Sequence, residues 1–149
     1  MTPSIQNDPF NLKRFINAQE GAYSQVVVEL RSGRKRTHWM WFIFPQISGL
    51  GHSEISKRFA IRTLEEAQHY LNHPILGKRL NECTEAVLGL SGKTVTDMFG
   101  YPDDMKFRSS MTLFALASED KDNLFVEALN EYFNGNCDTK TVKIIEGLG

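Results

Sequence analysis

Apolar residues recur at intervals of three and four along most of the chain, the spacing of one face of an α-helix. The first such segment runs from about residue 9 to 32 and follows Asp8 and Pro9, a capping residue and a proline that suit a helix start. The same spacing predicts helices over about 53–61, 63–72, 74–90, 94–99, 103–116 and 122–133, and from 138 onward. The pattern therefore predicts an all-α (mainly α) fold.

The densest apolar run, Trp39–Phe44, does not follow this pattern for long enough to be assigned. A run of six residues can be a buried strand or a short buried helix, so one minor strand near 39–44 is an alternative. Gly49 and Gly51 predict a flexible loop after it. We expect residues 1–7 to form a flexible tail and residues 8–149 to form a single compact, globular helical domain.

Composition and charge exclude several classes of function. Seventeen basic and 18 acidic residues leave a net charge of −1, so a general affinity for nucleic acid or a membrane surface is not expected. The chain contains no apolar run of the ~20 residues that a membrane-spanning helix needs, and from its polar N-terminal residues we expect no signal peptide. We therefore expect a cytoplasmic protein without a membrane partner.

The cysteines and histidines do not predict a metal site. Cys83 and Cys137 lie far apart, and their spacing leaves open whether they form a disulfide. His69 and His73 are four residues apart, but the motif of a zinc enzyme does not accompany them. No metal and no cofactor is predicted.

The segment from Arg34 to Glu54 contains both tryptophans and has two interpretations. Trp39 and Trp41 are either core residues or the wall of a pocket on which a nucleobase stacks. The second interpretation adds further candidates for ligand binding, namely Gln46, Gly49, Gly51 and Ser53. The basic cluster before the tryptophans, with Arg34 and Arg36, is either a solvated turn or a phosphate site.

A second group of polar residues begins at Asp103. Asp103 is expected to cap a helix, whereas Asp104 is left free for chemistry and kept ionised by Lys106. Asp103, and Ser110 one helical turn after Lys106, are further candidates for ligand binding. If Glu54 lies opposite Asp104, the two carboxylates form a pair suited to hydrolysis of a glycosidic bond. Otherwise, Glu54 is a plain acid in the first turn of a helix and Asp103 to Lys106 only cap one.

Four segments of the chain carry a family resemblance: WMWFIFPQISGLGHS, EEAQHYLNHPILGKRL, MFGYPDDMKFRSSMTLF and FNGNCDTKT. They resemble DUF1810, a bacterial family of proteins of unknown function whose members are sometimes mislabelled calpastatin. The resemblance covers nearly the whole chain but implies no biochemical activity.

The order of parts also resembles the NADAR superfamily, helical proteins that act on N-glycosidic bonds of ribosylated pyrimidines or of ADP-ribose on guanine. Ser53-Glu54 stands where that superfamily has a Ser/Thr-Glu helix start, and Asp104, Lys106 and Met111 echo a later motif. The resemblance implies that Glu54 is the catalytic acid. The histidine and tyrosine that follow the glutamate in the superfamily are Ile55 and Ser56 here, and its closing Gly-rich segment is missing.

Together these observations predict an N-glycoside hydrolase, or a binder, for a nucleoside or ADP-ribose-like small molecule. Glu54, Asp104 and Lys106 are the candidate catalytic residues. Nucleic acid is not an expected partner, except as an ADP-ribosylated base. The alternative is a non-catalytic protein-interaction module in which the aromatic segment is core and docking surface.

Overall fold

The computed structural model describes residues 8–148, and this part of the chain is all-α, as predicted. The tail predicted for residues 1–7 lies outside the described residues. The helices are α1 (Lys13–Glu20), α2 (Tyr23–Ser32), α3 (Met40–Ile43), α4 (Glu54–Arg58), α5 (Leu64–Asn72), α6 (Leu76–Leu88), α7 (Val95–Phe99), α8 (Asp103–Ala117), α9 (Leu124–Phe133) and α10 (Thr139–Leu148). No helix among residues 8–148 is long and apolar enough to cross a membrane.

The long first helix predicted over 9–32 is two helices in the structure. The chain breaks at Gly21, whose backbone N–H bonds the carbonyl of Gln19, and α2 begins two residues later. Glycine costs about 1 kcal/mol in a helix interior, so a break occurs most easily there. The predicted start at Asp8 and Pro9 is also wrong, because α1 begins at Lys13 with Leu12 at the N-cap position. The Asp8 carboxylate still accepts hydrogen bonds from the backbone N–H groups of Leu12 at 2.7 Å and Lys13 at 3.1 Å.

The aromatic segment forms a single helical turn, Met40–Ile43, and not the minor strand considered near 39–44. The strand-like pairing lies just after it, where Ile47 bridges Ile61 in parallel. Ile61 donates to the carbonyl of Gln46 at 2.8 Å, and Ser48 donates to the carbonyl of Ile61 at 2.7 Å. This pairing holds the 46–48 loop against the segment that follows α4.

Helix α8 lies at the centre of the core and packs against α5, α7, α9 and α10. Its Phe107 ring lies 5.0 Å from the rings of both Phe44 and Phe99, and its Phe114 ring lies 5.3 Å from that of Tyr70. Because α8 is surrounded by other helices, several of its polar residues are buried as well, namely Asp104, Ser109, Ser110 and Thr112. The hydroxyls of Ser109 and Thr112 donate to carbonyls one turn earlier, of Met105 and Arg108, which satisfies them without a ligand.

Helices α5 and α6 meet at a very close backbone approach. A Cβ added at Gly77 would lie 2.0 Å from the carbonyl oxygen of Leu71, well inside any permitted contact. Glycine at this position therefore allows α6 to begin directly against the end of α5.

Candidate functional site

Trp39 is a core residue in the structure and not the wall of a pocket. Its side chain is 1 % exposed and packs against Phe44 and Phe99. Its indole Nε1 donates to a carboxylate oxygen of Glu29 at 2.9 Å. A tryptophan enclosed in this way offers no free face to a nucleobase, so the ligand-binding prediction for Trp39 is wrong.

Glu29 is a buried carboxylate that organises the basic segment after α2. It accepts hydrogen bonds from the backbone N–H of Arg36 at 2.7 Å and from the backbone N–H and hydroxyl of Thr37 at 3.0 and 2.6 Å. Burial opposes its ionisation, but these bonds and that from Trp39 favour the charged form and lower its pKa to about 2. The sequence signal for this residue is a charge on the apolar face of α2, beside Val26 and Leu30.

Asp103 forms ion pairs with two lysines. Its carboxylate oxygens lie 2.9 Å from the Nζ of Lys35 and 3.2 Å from the Nζ of Lys106. It does not cap α8 as predicted, because it is the first helical residue and Pro102 takes the N-cap position. The two ammonium groups also lie over the tryptophan rings, Lys35 5.2 Å from that of Trp39 and Lys106 4.9 Å from that of Trp41.

Asp104 is buried, with 7 % of it exposed. The prediction that it is free for chemistry is therefore wrong. One of its oxygens accepts a hydrogen bond from the Thr96 hydroxyl at 2.7 Å, and the other accepts from the backbone N–H of Met105 at 2.8 Å. The expected partnership with Lys106 is also wrong, because Lys106 pairs with Asp103. Asp104 therefore joins α7 to the start of α8.

Four of the predicted ligand-binding residues do line one cavity: Trp41, Gln46, Gly49 and Gly51. Its volume of about 20 Å³ is room for one water molecule and not for a nucleobase. Within the described residues, its lining includes neither Ser53 nor Glu54. Both are exposed at the start of α4, where the Ser53 hydroxyl accepts from the backbone N–H of Ser56 at 3.2 Å.

The remaining candidates lie apart from this cavity. Ser110 is fully buried in α8, and its hydroxyl has no hydrogen-bond partner among the described residues. Arg34 and Arg36 are exposed beyond the end of α2, and neither lines the cavity beside Trp41. Sequence reasoning thus identified one wall of a small cavity but did not assemble the remaining candidates around it.

A larger groove of about 620 Å³ adjoins the cavity. The sequence patterns did not predict this groove. The two share Lys57 and Ala60. The lining of the groove is Pro9, Phe10, Asn11, Arg14, Lys57, Arg58, Ala60, Arg62, Thr63 and Glu66. We refer to these ten residues as the basic groove.

Arg14 holds the basic groove together, because each of its five N–H groups has an acceptor. The acceptors are the carbonyls of Phe10 at 2.7 Å and of Asn11, Arg58 and Ala60 at 2.8 Å, and the carboxylate of Glu66 at 2.8 Å. Arg14 therefore joins the segment just before α1 to the segment between α4 and α5. Its guanidinium is fully occupied and is not available to a ligand.

The net charge of the basic groove is positive. Among the ten residues that line the groove, Glu66 is the one acid. It is 2 % exposed, and its carboxylate is neutralised by the ion pair with Arg14. Lys57, Arg58 and Arg62 are exposed, and none of the three forms an ion pair with another residue in the range 8–148. Three exposed cations around a concave surface favour an anion. In the sequence, the signal for this groove is the position of three cations, Lys57, Arg58 and Arg62, around the end of a short helix.

A model of the family described as "protein of unknown function (DUF1810)" matches residues 9–145. The chain belongs to the DUF1810 family. This confirms the nearer of the two resemblances, whereas the NADAR resemblance stays a prediction. No match to the chain was found among curated proteins.

The fold of this DUF1810 chain also occurs in a crystal structure. The conserved hypothetical protein Rv1873 from Mycobacterium tuberculosis is 52 % identical to it and superimposes with a TM-score of 0.91. The match covers 93 % of this chain and 99 % of the other. The similarity supports the helical architecture around the basic groove but, like the family description, assigns no activity.

Proposed function

We propose that this protein binds a phosphorylated nucleoside-like ligand, of the nucleotide or ADP-ribose class, in the basic groove. The observation that carries the proposal is the position of three exposed cations, Lys57, Arg58 and Arg62, around a groove of about 620 Å³. Small-molecule sites commonly measure ~300–1,000 Å³. The groove is therefore of the right size for a nucleotide, which the cavity beside Trp41 is not.

The chemistry of the groove fits a phosphate more closely than a carboxylic acid alone. Two of its exposed cations are arginines, whose guanidinium groups bind two phosphate oxygens at once. Phe10 is half-buried in the lining and supplies an aromatic ring, and Asn11 and Thr63 supply polar groups for a sugar or base. A nucleotide matches all three features, because it has a phosphate for the arginines, a base for the aromatic ring and a sugar for the polar groups.

Binding is favoured over hydrolysis because the predicted carboxylate pair is not available. Asp104 is buried and bonded to Thr96, and Lys106 is paired with Asp103. N-glycoside hydrolysis remains the second candidate on one observation, that Glu54 is exposed in the first turn of α4, the helix that also carries Lys57 and Arg58. Glu54 does not line the basic groove, but it lies one helical turn before Arg58, where a carboxylate can activate water or orient a ribose hydroxyl of a ligand bound to that arginine.

Thermal-shift and calorimetric titrations with ADP-ribose, AMP and adenosine test the proposal. ADP-ribose and AMP should stabilise the protein, whereas adenosine, which lacks phosphate, should do so weakly. Replacing Arg58 and Arg62 by glutamine should remove the difference between AMP and adenosine.

The matched control is the replacement of Arg34 and Arg36 by glutamine, which removes the same charge at the end of α2. If that variant loses AMP binding and the Arg58/Arg62 variant keeps it, the phosphate site is the one first predicted from the sequence. No stabilisation by any of the three ligands would reject the proposal in favour of a protein-interaction module.

Hydrolysis is tested separately with wild-type protein and Glu54→Gln on ribosylated pyrimidines and ADP-ribosylated guanine. Release of free base that Glu54→Gln abolishes would support the catalytic role of Glu54. Equal release by both proteins would exclude it, and binding without release would leave the protein a binder.

A further inference from the structure

A second groove lies between α2 and α6 and has a different chemistry. Its volume is about 640 Å³. The side chains of Val27, Leu30, Ala86 and Leu90 give it an apolar floor. None of the residues predicted from the sequence as a ligand site lines it, and it shares no lining residue with the basic groove.

One wall of this groove is fixed by a polar network. The hydroxyl of Tyr23 donates to a carboxylate oxygen of Glu82 at 2.7 Å, and the guanidinium of Arg79 lies 4.8 Å from the centre of the Tyr23 ring. Burial and the bond to Glu82 raise the pKa of Tyr23, so the phenol stays neutral and keeps donating. The wall is thus ordered before any ligand arrives, which lowers the entropy cost of binding.

Cys83 also lines the groove but does not make it a thiol-based active site. Its Sγ is buried and lies 3.9 Å from the Tyr23 hydroxyl. Burial raises the pKa of the Cys83 thiol to about 12. Since the nucleophile is the thiolate, this cysteine acts as an apolar lining residue.

Acidic groups dominate the rim. Glu82 and Glu85 are three residues apart on α6, so their carboxylates lie on neighbouring positions of one helical face. Both are exposed, and within residues 8–148 neither forms an ion pair. The lining contains one cation among the described residues, Arg31 on α2. Two carboxylates above an apolar floor complement a cation attached to an apolar body.

From this arrangement we infer that the α2–α6 groove is a second binding site, for a small amphipathic cation. The ammonium group binds between Glu82 and Glu85, and the apolar part rests on Val27, Ala86 and Leu90. This site is independent of the proposed nucleotide site, because it selects the opposite charge and shares no residue with it.

Three ligands of similar size and different charge test the inference: 2-phenylethylammonium, 2-phenylethanol and 3-phenylpropionate. We expect saturable binding of the ammonium compound, with methyl NMR shifts at Val27, Leu30 and Leu90. Glu85→Gln should weaken binding of the ammonium compound about tenfold, because the ammonium group then bonds to a neutral amide and no longer to a carboxylate. Glu119→Gln, an exposed acid that does not line the groove, should leave the affinity unchanged.

Ala86→Phe provides a second variant that fills the apolar floor without altering charge. It should abolish binding of the ammonium compound while Glu119→Gln retains it. Equal affinity for all three ligands, methyl shifts outside the groove, or no saturable binding of the ammonium compound would overturn the inference.

Discussion

The indole of Trp39 donates a hydrogen bond to the carboxylate of Glu29 across 2.9 Å, and both side chains are almost completely buried. This bond joins helix α2 to the aromatic segment that follows it. It gives the polar atom of the tryptophan a partner inside the core and gives the carboxylate one of the donors that keep it ionised. The most conspicuous residue of the sequence therefore has a structural role.

Glu29→Gln should destabilise the protein by about 3 kcal/mol. The amide has one acceptor oxygen where the carboxylate has two, and the N–H and O–H groups that bond to it lose a charged partner. Urea denaturation of both proteins measures the difference. Glu119→Gln, at an exposed acid, is the control and should change the free energy of unfolding by less than about 0.5 kcal/mol. A Glu29→Gln protein as stable as the control would show that the hydrogen bonds around Glu29 contribute little.

Glu29 should also contribute to the pH dependence of stability. Its pKa is about 2 in the folded protein against an ordinary value of 4.5, so its contribution is fully present above about pH 4.5. As the pH falls from there towards 2, the unfolded state binds the proton first and the contribution is lost. Stability curves at several pH values should therefore converge for wild type and Glu29→Gln in acid. Parallel curves over this range would contradict the lowered pKa.

The two ion pairs of Asp103 should differ in strength. Lys35 has a side chain only 8 % exposed, whereas that of Lys106 is 26 % exposed and better solvated. Double-mutant cycles with Asp103→Asn and either Lys35→Met or Lys106→Met should give a coupling energy of about 1–2 kcal/mol for the first pair and below about 1 kcal/mol for the second. The reverse order would mean that burial does not set the strength of these pairs.

Gly77→Ala should cost several kcal/mol or prevent folding, because the new Cβ would lie 2.0 Å from the backbone carbonyl of Leu71. Gly89→Ala is the matched control, since the nearest atom to its added Cβ is 3.4 Å away and its backbone is right-handed. Gly89→Ala should leave the stability unchanged or raise it. Alanine can adopt the backbone conformation of residue 89, and it lowers the conformational entropy of the unfolded chain. Thermal unfolding of both variants compares them directly.

The helical architecture could be predicted because it depends on local information. The apolar spacing from Ile75 to Leu90 requires only neighbouring residues to be interpreted, and α6 indeed occupies Leu76–Leu88. The cap at Thr63 was predicted correctly for the same reason, since its hydroxyl accepts from the backbone N–H of Glu66 at 3.0 Å, whereas the cap predicted at Asp103 was wrong. The six-residue run at 39–44 was too short to choose between helix and strand.

The candidate site depended on contacts that no local pattern contains. Asp103 and Asp104 are adjacent and chemically alike, yet one is paired with two lysines and the other is bonded to Thr96. Which carboxylate receives which partner depends on how α7 and the segment after α2 pack against the start of α8. The sequence places Thr96 and Lys106 close to both carboxylates along the chain, but it does not indicate that the distant Lys35 pairs with Asp103.

The sequence by itself determined a helical protein of the DUF1810 family, the positions of most helix ends and one wall of the cavity beside Trp41. These follow from residue spacing, capping and motifs, which act over a few residues. Only the tertiary structure decided that Trp39 is core, that Asp104 is buried, and that Lys57, Arg58 and Arg62 surround a groove. The physical reason is that this groove is held by Arg14, whose guanidinium joins residues more than 40 positions apart in the chain.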